Sequence, residues 1–138
     1  MSLLAALKGN GATGFGFGST AEEVCAGLDL KGKTIVITGV NSGLGLESAR
    51  VLGGRGAYIV GLSRTRDKAA AALTALRIDG MPIECELSEP ASVRAAVGAV
   101  KASGRPLDVL LANAGIMALP KLEQAHGYEL QFFTNHIG

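Results

Sequence analysis

The sequence predicts an α/β fold: a doubly wound parallel sheet with helices on both faces, in three αβα layers. Three observations predict it. From Lys33 onward, short apolar runs alternate with helix-like segments. Strands that alternate with helices demand right-handed crossovers, and therefore a parallel sheet. The turn Thr38-Gly39-Val40-Asn41-Ser42-Gly43-Leu44-Gly45 sits between the apolar run Thr34-Ile35-Val36-Ile37 and a helix-like segment from Leu46 to Leu52. Finally, 138 residues with 48% apolar content give room for one domain around one core.

The elements follow in order. Residues 1–18 read as a glycine-rich arm. Thr20-Ala21-Glu22-Glu23 has the spacing of a capping box and predicts a short helix ending near Gly27. Arm and helix make an N-terminal unit, 1–27, and the domain proper spans 28–138. Lys33 to Thr38 is the first strand, and Gly43 to Leu52 the first crossover helix, closed by Gly53 and Gly54. Ala57 to Leu62 is the second strand, followed by an alanine-rich helix from Asp67 to Arg77. Pro82 to Leu87 is the third strand, and Ser88 caps a helix running to about Ala102. Leu107 to Ala112 is the fourth strand. Glu123 to Ile137 reads as a last helix, with Leu130, Phe133 and Ile137 at 3-4 spacing. The expected strand order is 3-2-1-4, the Rossmann type, with a ligand at the switch between strands 1 and 4.

Strand, glycine turn and helix together make a phosphate-binding hypothesis. Gly39 makes the tight turn off the strand. Gly43 lets a pyrophosphate approach the backbone, and Gly45 lets the helix pack closely on the strand. The first N–H groups of the helix, with its dipole, then favour an anion. Thr38, Asn41, Ser42 and Leu44 complete the turn. A second stretch, Gly9-Asn10-Gly11-Ala12-Thr13-Gly14, matches Gly-x-Gly-x-x-Gly letter for letter. Leu3 to Lys8 lacks strand alternation, and Phe15-Gly16-Phe17-Gly18 cannot open a helix, so this match reads as a flexible arm.

The end of strand 2 selects the nucleotide. A carboxylate there would bind the ribose hydroxyls of NAD. This chain has Ser63-Arg64, with Arg66 close by. A guanidinium grips a 2′-phosphate bidentately, so NADP is favoured over NAD.

The spacing Gly-x-x-x-Gly-x-Gly with a leading Thr resembles the short-chain dehydrogenase/reductase family. Other positions carry the same resemblance. Ala112-Asn113-Ala114-Gly115 is similar to the family's Asn-Asn-Ala-Gly motif, with Ala112 in place of the first Asn. Asn113 would brace the central strands, and Ala114 and Gly115 would leave room for the cofactor. Cys85-Glu86-Leu87-Ser88 aligns with the segment where the family has an Asp facing the adenine, which points to Glu86 and Leu87. Thr134-Asn135-His136 matches the helix of the catalytic-tetrad Asn, so the resemblance makes Asn135 the holder of a relay water through its main chain. The strings from Leu107 to Met117 and from Glu129 to Phe132 are similar to the retinol-dehydrogenase-like and protochlorophyllide-reductase-like branch.

The family also uses a Ser and a Tyr-x-x-x-Lys pair on later elements. Here Tyr58 is followed four on by Leu62, and Tyr128 by Phe132. The expectation is therefore the cofactor-binding N-terminal half of an oxidoreductase that reduces a carbonyl or oxidises an alcohol, truncated before the catalytic half. A catalytically inactive dinucleotide-binding module and an interaction fragment are the alternatives. Strand 4 would stand at an open edge and the last helix would expose Phe132 or Phe133, which predicts self-association.

A net charge of +1 without basic runs gives no pointer to nucleic acid. Leu3 to Leu7 is too short for a membrane span and lacks signal-peptide flanks. Cys25 and Cys85 read as reduced thiols, and His126 and His136 are ten apart, so a cytoplasmic protein with no metal site is expected.

Overall fold

The computed structural model describes residues 9–138. The elements are α1 (Ala21–Val24), β1 (Thr34–Thr38), α2 (Gly43–Gly54), β2 (Tyr58–Ser63), α3 (Arg66–Leu76), β3 (Gly80–Glu84), α4 (Pro90–Ala102) and β4 (Val109–Leu111). A hairpin follows, β5 (Gln124–Ala125) and β6 (Tyr128–Glu129), then α5 (Leu130–Phe132) and a π-helical turn, Phe133–Ile137. The main sheet has the order β3-β2-β1-β4 and is parallel throughout, as the strand–helix alternation predicts.

Strand side chains alternate between faces, and both faces are covered. On one face Ile35, Ile37 and Ile59 pack with Ala49 of α2 and with Ala69 and Leu73 of α3. On the other, Val36, Val60, Leu62 and Ile83 pack with Ala96 of α4. Ile37 and Ile59 are wholly buried, and burial of each side chain contributes about 1.5–3 kcal/mol. The small helix residues matter as much as the branched strand residues. Alanines let α2 and α3 lie close on the sheet.

The N-terminal unit is tied to this core at the surface. Thr20 and Glu23 form the expected capping box, although α1 stops at Val24 rather than near Gly27. Glu22 of α1 reaches Arg50 of α2 and Arg55 just past its end, at 3.0 and 3.1 Å. Residues 1–8 of the predicted arm lie outside the described residues.

β4 is the least covered strand. It pairs with β1, yet Val109 and Leu110 remain 48% and 60% exposed. Its entry is fastened by Asp108, whose carboxylate accepts from Lys33 Nζ at 2.8 Å and Thr34 N at 2.9 Å. Lys33, with the Thr34 N–H, holds the Asp108 carboxyl below its ordinary value. A carboxyl lowered in the folded state stabilises the fold above the ordinary Asp range, near pH 4. That stability is lost as pH falls through the folded value. Acid titration of the thermal midpoint should therefore show a decline below about pH 4 that Asp108→Asn makes shallower. An unchanged acid limb in the variant would contradict this.

Two expectations need correction. The run from Glu123 is not one helix. His126 and Gly127 both have positive φ, 53° and 84°, the signature of a two-residue hairpin turn. β5 and β6 pair across it. Helical geometry starts only after Glu129, whose carboxylate caps Gln131 N and Phe132 N. Phe133 is buried and Phe132 is half exposed. Nor does Ser88 cap the third crossover helix. Glu89 is the N-cap residue and makes no side-chain cap bond, while Pro90 opens α4. Pro is preorganised for the first helical position and has no N–H to satisfy there. Ser88 Oγ instead donates to Glu86 Oε1 at 2.9 Å. Smaller boundary shifts also occur: β3 begins at Gly80, and α2 continues through Gly53 and Gly54 before ending at Arg55.

Candidate functional site: a polar groove at the ends of β1 to β4

The glycine turn is anchored at both ends. Gly39 N and Val40 N both donate to Leu62 O, at 2.8 and 3.1 Å. Val40 is wholly buried and packs where Gly61 leaves space. Gly39 and Gly43 have φ of 70° and 55°, a region that side chains other than glycine rarely adopt. Gly45 serves a different purpose. A Cβ there would land on Gly39 O and lie 2.6 Å from Asn113 Nδ2. The close approach of α2 to the β1 turn therefore requires a residue with no side chain.

The start of α2 is open to an anion. Ser42 is the N-cap residue but makes no side-chain cap bond, and no acidic residue occupies the first turn. The first intrahelical bond runs from Leu46 N to Ser42 O. The N–H groups of Gly43, Leu44 and Gly45 thus have no intrahelical partner, and the helix dipole adds positive potential there. A Cβ on Gly43 would meet nothing within 4 Å, so the backbone at this point faces open space.

Asn113 locks β4 to β1 as expected. Its Nδ2 donates to Thr38 O at 2.9 Å, and Thr38 Oγ1 accepts from Asn113 N and Ala114 N at 3.0 and 2.9 Å. These bonds hold Ala114 and Gly115 against the glycine turn. The strand ends then enclose a groove of about 380 Å³. Of the sequence-predicted residues, Thr38, Gly39, Asn41, Ser42, Leu44, Ser63, Arg64, Glu86, Leu87, Asn113, Ala114 and Gly115 line it. Gly43 and Gly45 shape its edge without lining it.

The side chains in the groove have distinct states. Arg64 is exposed at its rim and has no ion pair among the described residues. The Ser63 hydroxyl is already spent, donating to Thr65 O at 2.7 Å. Glu86 Oε1 accepts from Ser88 N and Ser88 Oγ, and Glu86 N donates to Ser92 Oγ. Cys85 also lines the wall. Burial, with the nearby Glu86 charge, pushes its thiol up, so it stays protonated.

Asn135 stands apart from this groove. It borders an apolar cavity of about 510 Å³ between α4, β4 and the π turn. Its side chain grips the Ile116 backbone at both ends: Oδ1 accepts from Ile116 N and Nδ2 donates to Ile116 O, each at 2.8 Å. Gln131 Oε1 takes Ala118 N in the same way. Sequence reasoning missed Leu62, Cys85, Ile116 and Thr134 as groove residues. Leu62 and Cys85 stand at the ends of β2 and β3, and tertiary packing brings Ile116 and Thr134 beside them.

The second glycine motif is no such cradle. Gly11 N donates to Phe15 O and Gly14 N to Gly11 O, so those N–H groups are used in a tight turn. No helix opens from it.

A dinucleotide fits this arrangement. An open helix N-terminus meets a glycine that can be approached closely, an unpaired guanidinium stands at the end of β2, and a groove joins them. No helix among the described residues is long and apolar enough to cross a membrane.

Comparison with known proteins agrees. The chain is 43% identical over 134 residues to short-chain dehydrogenase TIC 32 A, chloroplastic, of Brassica napus, covering 93% of this chain and 42% of that protein. It is 36% identical to human retinol dehydrogenase 12, covering 86% of this chain and 39% of that one. It thus spans about two fifths of the length of these relatives. A crystal structure of an uncharacterised protein from Mycobacterium paratuberculosis matches with a TM-score of 0.71 at 37% identity, covering 79% of this chain and 39% of that one. A metagenomic short-chain oxidoreductase crystallised with NADP matches with a TM-score of 0.59 at 32% identity, covering 64% of this chain and 42% of that one. The family model described as short chain dehydrogenase covers residues 33–135, from the first strand to the π turn, and the chain belongs to that family.

Proposed function

We propose that this chain binds NADP(H) and is the cofactor-binding part of an oxidoreductase that reduces a carbonyl or oxidises an alcohol. The observation that carries the reading is the pairing of the open α2 N-terminus with Arg64 across one groove. The N–H groups of Gly43, Leu44 and Gly45 would hold the pyrophosphate, and Arg64 the 2′-phosphate. When bound, the cofactor supplies or accepts a hydride. Gly115 and Ile116, pinned by Asn135, would border its reactive end, with Asn135 keeping the relay role that the family resemblance suggests. Glu86 would face the adenine, its position set by Ser88. The relative crystallised with NADP supports the choice of nucleotide.

A second reading has its own support. Neither Tyr58 nor Tyr128 is followed four residues on by Lys, which favours a module that binds dinucleotide without turning over substrate. Calorimetric titration with NADPH and NADH tests the shared claim. Tighter NADPH binding supports it, whereas equal or tighter NADH binding sinks the phosphate clamp. Aldehyde- or ketone-dependent NADPH oxidation by this chain would remove the second reading.

The free edge of β4, flanked by exposed Leu107, Val109 and Leu110, supports self-association with a second copy, which sedimentation analysis would detect as a dimer. Two unpaired cysteines, Cys25 and Cys85, support a reducing compartment such as the cytoplasm.

A further inference from the structure

Two threonine hydroxyls, Thr34 Oγ1 and Thr134 Oγ1, are buried with no hydrogen-bond partner among the described residues. Their residues are 2% and 7% exposed. Burying a hydroxyl unpaired is costly, and such groups are uncommon in folded proteins. The two differ in what they face. Thr34 opens β1 and borders neither cavity. Thr134 lies in the π turn and borders both the polar groove and the apolar cavity.

Six residues are common to the walls of both: Thr38, Leu62, Cys85, Leu87, Ala114 and Thr134. The Thr38 hydroxyl already accepts from Asn113 N and Ala114 N. Leu62, Leu87 and Ala114 bring no polar side-chain atom, and a protonated thiol at Cys85 is a weak donor. Thr134 is the residue of this wall whose hydroxyl has no hydrogen-bond partner among the described residues. It sits there because the π turn, an uncommon backbone form that often marks functional sites, turns residue 134 inward beside buried Phe133.

We propose that Thr134 is a nucleotide-binding residue, its buried hydroxyl hydrogen-bonding the adenosine half of a dinucleotide phosphate held in the groove. The inference rests on the nucleotide reading given above. The adenosine half is the part in reach, because Leu62, Cys85 and Leu87 lie at the ends of β2 and β3, beside Arg64. A hydroxyl both donates and accepts, so it suits a ribose hydroxyl or a ring nitrogen.

Thr134→Val preserves shape and removes the hydroxyl, and Thr34→Val is the matched control. The measurements are calorimetric affinities for NADP⁺ and for 2′-phospho-ADP-ribose, which lacks the nicotinamide, and the ligand-free thermal midpoint. Thr134→Val should weaken both ligands roughly three- to ten-fold, while its midpoint holds or rises because an unpaired hydroxyl is gone. Thr34→Val should hold or raise the midpoint with affinity unchanged. Thr134→Ser should bind within about two-fold of wild type. Wild-type affinity in Thr134→Val would overturn the proposal. So would a loss confined to NADP⁺, or a lowered midpoint, which would mean that the hydroxyl has a structural partner. If the wild-type chain binds neither ligand, the nucleotide reading itself falls and takes this inference with it.

Discussion

Gly45→Ala is expected to damage the fold before it damages a site. The added Cβ would meet Gly39 O and stand 2.6 Å from Asn113 Nδ2. Neither neighbour is a flexible side-chain end free to swing away. Gly39 O is backbone, and Asn113 is fixed by its bond to Thr38 O. Overpacking of this kind costs about 1–3 kcal/mol, and backbone on one side puts the cost at the upper end. A thermal midpoint lower by roughly 5–10 °C follows for a domain of this size. Gly43→Ala should behave differently, although it is only two residues away. Its Cβ meets nothing within 4 Å, so the stability cost is the positive φ alone, about 1–2 kcal/mol. The new methyl would stand on the open side of the turn, where the proposed pyrophosphate would approach. NADP⁺ affinity should fall by at least about ten-fold, the equivalent of roughly one or two lost charge-assisted hydrogen bonds. Full nucleotide binding by Gly43→Ala, or a Gly45→Ala variant as stable as wild type, would contradict the division of labour between these glycines.

Arg64→Asp should reverse the choice of nucleotide. Arg64 stands exposed on the groove rim with no ion pair among the described residues, so no structural bond is lost when it goes. Two charge-assisted hydrogen bonds to the proposed 2′-phosphate would contribute about 1.5–3 kcal/mol each, and the new carboxylate would repel that phosphate. NADP⁺ binding should weaken by at least about 100-fold. NAD⁺ binding should strengthen, because a carboxylate accepts from ribose hydroxyls. The thermal midpoint should barely move. Calorimetry with both nucleotides on both proteins measures the exchange. Parallel losses for NAD⁺ and NADP⁺ would mean that Arg64 acts on something common to both.

The framework of the site was legible in the sequence because its determinants are local. β-branched runs such as Thr34 to Ile37, helix-period segments between them and the position of Gly39 decide strand, turn and helix within a few residues. The strand order 3-2-1-4 is the one that the Rossmann pattern, with its glycine turn after the first strand, implies. What was not legible depends on contacts distant in sequence or on unusual turn chemistry. His126 takes a positive φ, uncommon outside glycine, and the 3-4 spacing of Leu130, Phe133 and Ile137 hid the hairpin before it. Ser88 has a capping side chain, but Pro90 sets where α4 begins and leaves Ser88 to Glu86. Thr134 reads as an ordinary helix residue until the π turn buries its hydroxyl without a partner among the described residues. The Gly-x-Gly-x-x-Gly run from Gly9 to Gly14 shows the converse. Its letters match a nucleotide motif, yet its N–H groups are bonded within its own turn.

The central claim is that the groove at the strand ends, and not the N-terminal glycine run, receives a dinucleotide phosphate. The most direct measurement is an amide chemical-shift titration of the isotope-labelled chain with NADP⁺. The account predicts saturable shifts that move together at Gly43, Leu44, Gly45, Arg64, Leu87 and Ala114, with Gly9, Gly11 and Gly14 unmoved. Shifts concentrated at Gly9, Gly11 and Gly14, or no saturable shift anywhere in the groove, would contradict it.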